Sequence, residues 1–177
     1  MNNITLQKNR QRAFTLIESI IYICIFALIL IALVQTIISV NKSYGAIKSN
    51  QAIEISASDS LNRMSRDIRN ATSIIIGASS TFGISPGKLA LSSKDGAGVV
   101  RTVEYYVDGA NMLQVKENGI SVGKLTSSST PISNLIFTKI DTGNSSAIKI
   151  DMSLQVQKNK ATTTESFHSS YVLRGSY

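Results

Sequence analysis

A chain of 177 residues, 43% hydrophobic and 16% charged, is about one domain long, with room for a domain plus an anchor. Its net charge of +7 is uneven: Lys8, Arg10 and Arg12 supply +3 in the first 13 residues, and +4 is spread over the remaining 164. With no compact Lys/Arg patch interleaved with aromatics, nucleic-acid binding is not expected, and a single cysteine excludes an intramolecular disulfide framework.

In chain order, the basic head leads into the apolar run Ile20–Val34, IIYICIFALILIALV. From Ser19 to Asn41 there are 23 residues without a formal charge. At about 1.5 Å per residue, a helix of that length covers about 35 Å, enough to cross a hydrocarbon core of about 30 Å. The basic residues ahead of it predict a cytoplasmic N-terminus and an exported C-terminal body. The run is longer than the apolar part of a cleaved secretory signal, and no small-x-small site follows it. Cys24 lies within it, preceded by IIYI, which lacks the small residue of a lipoprotein cut; it reads as an ordinary lipid- or helix-facing residue. Glu18 stands just inside the mouth of this segment. A carboxylate there is costly unless compensated, so it is either an accident of a membrane boundary or a group with a partner.

Beyond Val34 the sequence stays compatible with helix, with no proline before Pro86 and only Gly45 before Gly77. Residues 45–58 show little pattern, and Gly45 is a candidate bend. Leu61, Met64, Ile68, Ala71 and Ile75 then recur at spacings of three and four, one face of an amphipathic helix. Asp59 with Arg63, and Arg63 with Asp67, are spaced for i,i+4 pairs, and Gly77 is a reasonable stop. These features predict one long helix from about Phe14 to about Ile76.

The remainder reads as antiparallel sheet. Lys88–Ser92 follows the Pro86-Gly87 turn, and Val99–Val107 pairs by pattern with Met112–Lys116 across Asp108–Asn111. Ile120–Leu125, Leu135–Ile140, Ile148–Val156 and Phe167–Leu173 complete the strands, and the Ser/Thr-rich stretches 78–81, 126–130 and 161–166 read as loops. A sheet with one apolar face needs a cover, and the stripe ending at Ile75 supplies it. The expected fold class is therefore α+β.

Chemistry-bearing patterns are sparse. His168, the one histidine, falls in a strand near the C-terminus and reads as a surface or edge residue, so no histidine triad or metal cluster can be assembled. Asp141-Thr-Gly-Asn144 offers oxygen ligands in a turn but lacks the ligand density of a calcium loop. Asn70-Ala-Thr72 and Asn144-Ser-Ser146 match the glycosylation sequon, a spacing common by chance. No catalytic residues, metal ligands or cofactor site are expected, and no enzyme activity.

Residues 8–30, KNRQRAFTLIESIIYICIFALIL, resemble the class III signal of type IV pilins and pseudopilins. In that family a prepilin peptidase cuts the basic leader directly before an aromatic residue and then methylates the new amine. The resemblance implies a leader 1–13 carrying Lys8, Arg10 and Arg12, a cut between Ala13 and Phe14, and N-methylation of Phe14. Glu18 matches the family's glutamate, which is thought to pair with a neighbouring subunit's N-terminal amine; Thr15, Leu16 and Ile17 fit the motif too. Ala13 stands where the family prefers glycine, and is a small residue that members tolerate there. LNRMSRDIRNATSI (61–74), VEYYVDGANMLQVKENG (103–119) and FHSSYVLRGSY (167–177) are similar to segments of minor pilins and of J-type minor pseudopilins of type II secretion. Major pilins commonly carry a C-terminal disulfide loop, absent here.

The resemblance implies a pilin-like organisation: transmembrane and assembly helix 14–41, amphipathic continuation 42–76 packed through Leu61, Met64, Ile68, Ala71 and Ile75, and a β-rich exported head 77–177. The expected function is a structural or initiating subunit of a type IV filament system, in the cytoplasmic membrane and then in a filament outside it. Its expected partners are the prepilin peptidase, other pilin or pseudopilin subunits, the inner-membrane assembly platform and membrane lipid. The alternatives are a competence pseudopilin serving DNA uptake and an unprocessed membrane-anchored sensor or adhesin domain.

Overall fold

A computed structural model describes residues 15–94, 97–143, 145–158 and 161–174. Among the described residues one helix, α1, runs Leu16–Asn70, and eight strands follow: β1 (Ala71–Ile74), β2 (Leu89–Lys94), β3 (Val100–Val107), β4 (Leu113–Glu117), β5 (Ile120–Lys124), β6 (Ile132–Asp141), β7 (Ser146–Lys158) and β8 (Ala161–Val172). The chain divides into two compact units, Met1–Gly45 and Ala46–Tyr177. The fold class is α+β, as expected, with a long N-terminal helix and antiparallel strands after it.

In the first unit, α1 opens where the Thr15 carbonyl accepts from the Glu18 and Ser19 N–H groups at 3.1 and 3.2 Å. The helix is long and apolar enough there to cross a membrane. Its large side chains point outward all round; Leu16, Ile23, Phe26, Leu28 and Ile37 are each more than 60% exposed. A helix apolar on every side matches a surrounding apolar medium rather than one buried face.

In the second unit the buried apolar residues, among those described, gather in one core. On α1 the buried residues are Ile53, Ala57, Ser60, Met64 and Ile68, with Leu61 partly buried. The stripe thus begins two turns before Leu61, inside the stretch where the sequence showed no pattern, because Ala57 and Ser60 are small and weakly apolar. The helix also ends earlier than expected, at Asn70 rather than Ile76. Thr72 and Ile74–Ile76 are β-branched, a composition that favours extended chain, and β2 offers its edge to them. Ala71 pairs with Ser93 and Ile74 with Leu91. Of the five predicted stripe residues, Leu61, Met64 and Ile68 therefore lie on the helix. Ala71 is buried as a strand residue, and Ile75 follows the strand, half-buried, its N–H bonded to Ala90 O at 2.9 Å. Gly77, expected to stop the helix, has φ +100° in the turn after β1.

The strands form two sheets rather than one: β1-β2-β3-β4-β5, and β6-β7-β8, all antiparallel. Alternation sets their inner faces. Leu89 and Leu91, Val103 and Tyr105, and Leu113 and Val115 line the first. Leu135 and Phe137, with Ile148, Ile150, Met152, Leu154 and Val156, line the second, and all join the helix stripe in one cluster. The segment before β2 stitches the sheets: Gly83 N donates to Phe137 O at 2.9 Å and Gly87 N to Leu135 O at 2.7 Å. A Cβ on Gly87 would lie 3.0 Å from the Phe137 ring and 3.1 Å from Leu135 O, so this approach requires glycine.

Two turns explain the hairpins. Asp108 accepts from Ala110 N and Met112 N, both at 2.9 Å, and from Gln114 at 2.7 Å, which closes the loop between β3 and β4. Asn118 and Gly119 both have positive φ, the pair a two-residue hairpin requires. The Ser/Thr stretch 161–166, expected as loop, instead forms the first half of β8, whose ladder with β7 runs from Ala147↔Val172 to Lys158↔Ala161 without a register shift. Threonine is β-branched and suits a half-exposed strand, so low hydrophobicity hid it.

Candidate functional site

The first candidate is the start of α1. Glu18 lies in the first helical turn and is half-buried. That position suits a carboxylate, because unpaired N–H groups and the helix dipole both favour negative charge there. One turn on, the Tyr22 hydroxyl donates to Glu18 Oε1 at 3.2 Å. Side chains on a helix lean toward its N-terminus, so residue 22 reaches back over residue 18. Lys8, Arg10, Arg12, Ala13 and Phe14 lie outside the described residues. Cys24 is exposed on the same helix.

A second grouping joins α1 to the first sheet. Glu117 Oε1 accepts from Arg63 at 2.5 Å and from Arg101 at 2.8 Å. Asp67 Oδ2 accepts from the Tyr105 hydroxyl at 2.5 Å and lies 3.5 Å from Arg63 Nε. Of the two helix pairs expected by spacing, Arg63–Asp67 is present, while the Arg63 guanidinium reaches Glu117 rather than Asp59. Burial pushes the Tyr105 phenol well above its ordinary pKa of 10.0, and the hydrogen bond to Asp67 and that carboxylate's charge push it further. Arg63 is also raised: burial lowers it, and Asp67, Tyr105 and Glu117 together outweigh burial. These groups orient the helix on the sheet. The sequence hid them, since Glu117 and Arg101 meet only through the β3–β4 register.

The remaining candidates are surface features. His168 sits exposed on the edge strand β8, as expected, and contacts Asp151 at 2.5 Å, with Lys149 on the same carboxylate at 3.0 Å. The hydrogen bond with His168, then that with Lys149, hold Asp151 below the usual carboxylate range. In the turn considered for calcium, Asp141 pairs with Lys139 at 2.9 Å and accepts from Gly143 N at 3.4 Å, while Asn144 lies outside the described residues. Among the described residues, no three His, Cys, Asp or Glu side chains gather as a metal site. No family model, curated protein or solved structure matches the chain.

Proposed function

We propose that the chain is a minor pilin or pseudopilin, a structural or assembly-initiating subunit of a type IV filament system. In this reading the prepilin peptidase removes residues 1–13 and methylates Phe14. The apolar half of α1 holds the subunit in the cytoplasmic membrane, with the basic leader on the cytoplasmic side and the β-rich unit exported. An assembly platform then transfers it into a filament beside other pilin or pseudopilin subunits.

The observation that carries the reading is the make-up of α1 itself. It opens with Glu18 in its first turn, exposes apolar side chains all round from Leu16 onward, and ends with a stripe buried in the core of the second unit. An isolated carboxylate beside lipid is costly. A second copy's N-terminal ammonium, created by the cut before Phe14, would offset that cost and fix the register of one helix against the next. Mass spectrometry of the mature N-terminus tests the reading: a methylated Phe14 is expected, and an intact Met1 overturns it. Glu18→Ala is expected to leave membrane insertion intact and to lower incorporation into filaments; full incorporation would remove the assembly role of Glu18.

A further inference from the structure

We infer that Tyr22 is a positioning residue for Glu18: its phenol holds the carboxylate aligned along α1, inside lipid, until the ammonium of a second processed copy arrives. The inference rests on the filament-subunit reading. Its structural basis is the bond from Tyr22 to Glu18 Oε1 at 3.2 Å, both groups lying on one face of the apolar part of the helix.

The chemistry of the donor matters. A lysine or arginine at residue 22 would neutralise Glu18 within its own chain and compete with the incoming amine. A phenol is neutral, so it supplies a hydrogen bond while leaving the negative charge to attract a cation. It uses Oε1, and a carboxylate has a second oxygen and about four acceptor sites in all. An ammonium can therefore bind without displacing the tyrosine. Ordering the carboxylate beforehand lowers the cost of association, since its rotamers no longer have to be fixed at that moment.

Placement supports this. In the run Ile20–Val34, Tyr22 carries the one hydroxyl, and it stands four residues after the carboxylate. Residue 23 would point about a quarter-turn away, and residue 21, three after Glu18, would still lie over it. A tyrosine serving merely as an interfacial membrane anchor would have no such preference for face.

The test compares incorporation of the full-length chain into filaments in the cells that make it, alongside membrane insertion and the mature N-terminus. Tyr22→Phe is expected to insert and be processed normally, with incorporation reduced several-fold. Adding Ile21→Tyr to Tyr22→Phe is expected to restore incorporation, whereas adding Ile23→Tyr is not. In a Glu18→Gln background, Tyr22→Phe should cost nothing further. Wild-type incorporation by Tyr22→Phe, or equal rescue from residues 21 and 23, would overturn the positioning role. A Glu18→Ala variant run in parallel keeps the two ideas apart: if it incorporates normally, the Glu18 reading fails, and if only Tyr22→Phe does, the inference alone fails.

Discussion

Residues 16–45 and residues 46–70 belong to one helix, yet they solve opposite problems. In the first stretch large apolar side chains face outward on every side, and the one carboxylate accepts a bond from Tyr22 one turn on. In the second, the apolar groups that pack into the core are Ile53, Ala57, Leu61, Met64 and Ile68, while Ile47 and Ile55 stay exposed, and the charged residues Arg63 and Asp67 reach sideways to the sheet. The backbone hydrogen bonding is the same throughout, so helix formation does not distinguish them. What differs is the surroundings each surface is built to meet: an apolar medium all round in one case, water with one packed face in the other. The same substitution should therefore have different consequences in the two stretches.

The sharpest break in that comparison is a paired truncation. Ile68→Ala removes a fully buried side chain from the core and is expected to destabilise the Ala46–Tyr177 unit by about 2–5 kcal/mol. Leu28→Ala, on the exposed apolar stretch, should change it by less than about 0.5 kcal/mol. Urea unfolding of the full chain in detergent micelles, followed by near-ultraviolet circular dichroism, reads both. Equal shifts would mean that the two stretches are not energetically separate.

The polar side of the second stretch comes next. Tyr105→Phe leaves Asp67 without its phenol donor, and a hydrogen bond to a charged group is worth about 1.5–3 kcal/mol. The pH dependence carries a distinct signature. Folding raises the Tyr105 pKa above the 10.0 of an unfolded tyrosine, so the folded state holds that proton more tightly. Its contribution is complete below pH 10 and is lost progressively as pH rises beyond it. Wild type should lose stability more steeply above pH 10 than Tyr105→Phe does; parallel alkaline limbs would mean that another tyrosine dominates.

Gly87→Ala probes the junction of the two sheets. The new methyl would press on the Phe137 ring and the Leu135 carbonyl, at a cost of about 1–3 kcal/mol in the same urea titration. An unchanged midpoint would show that the segment from Gly83 to Gly87 can withdraw from β6 without loss.

The apolar run, the Leu61–Met64–Ile68 stripe and most strands were legible because each is written as a periodicity. The misses share a cause: they depend on what lies opposite. Helix end and strand start at Asn70 and Ala71 are decided by the free edge of β2, which no local pattern announces. The division into two sheets, and the Gly83–Gly87 segment that bonds to β6 between them, are long-range arrangements. The first half of β8 was obscured because Thr162–Thr164 pair with β7 through backbone groups and carry no apolar alternation. At the start of α1, Glu18 stood out as a misplaced charge, while Tyr22 passed as one more apolar residue. The spacing of four was there to be read, but only the hydrogen bond gives it meaning.

Ser60 offers the smallest expected effect and the finest contrast between the two stretches. It is fully buried on the helix stripe, and its hydroxyl has no hydrogen-bond partner. Desolvating an unpaired hydroxyl costs stability, and alanine is the better helix former by about 0.5 kcal/mol. Ser60→Ala also deletes one packed oxygen atom, which returns part of that gain as lost contact. The net expectation is a stabilisation of about 0.5–1 kcal/mol, read as a higher urea midpoint at unchanged slope. Ser39→Ala, the same change on the exposed apolar stretch, should leave the midpoint where it is. If Ser60→Ala instead destabilises, the hydroxyl has a partner in solution, and the burial of residue 60 is held by a polar contact rather than by small size alone.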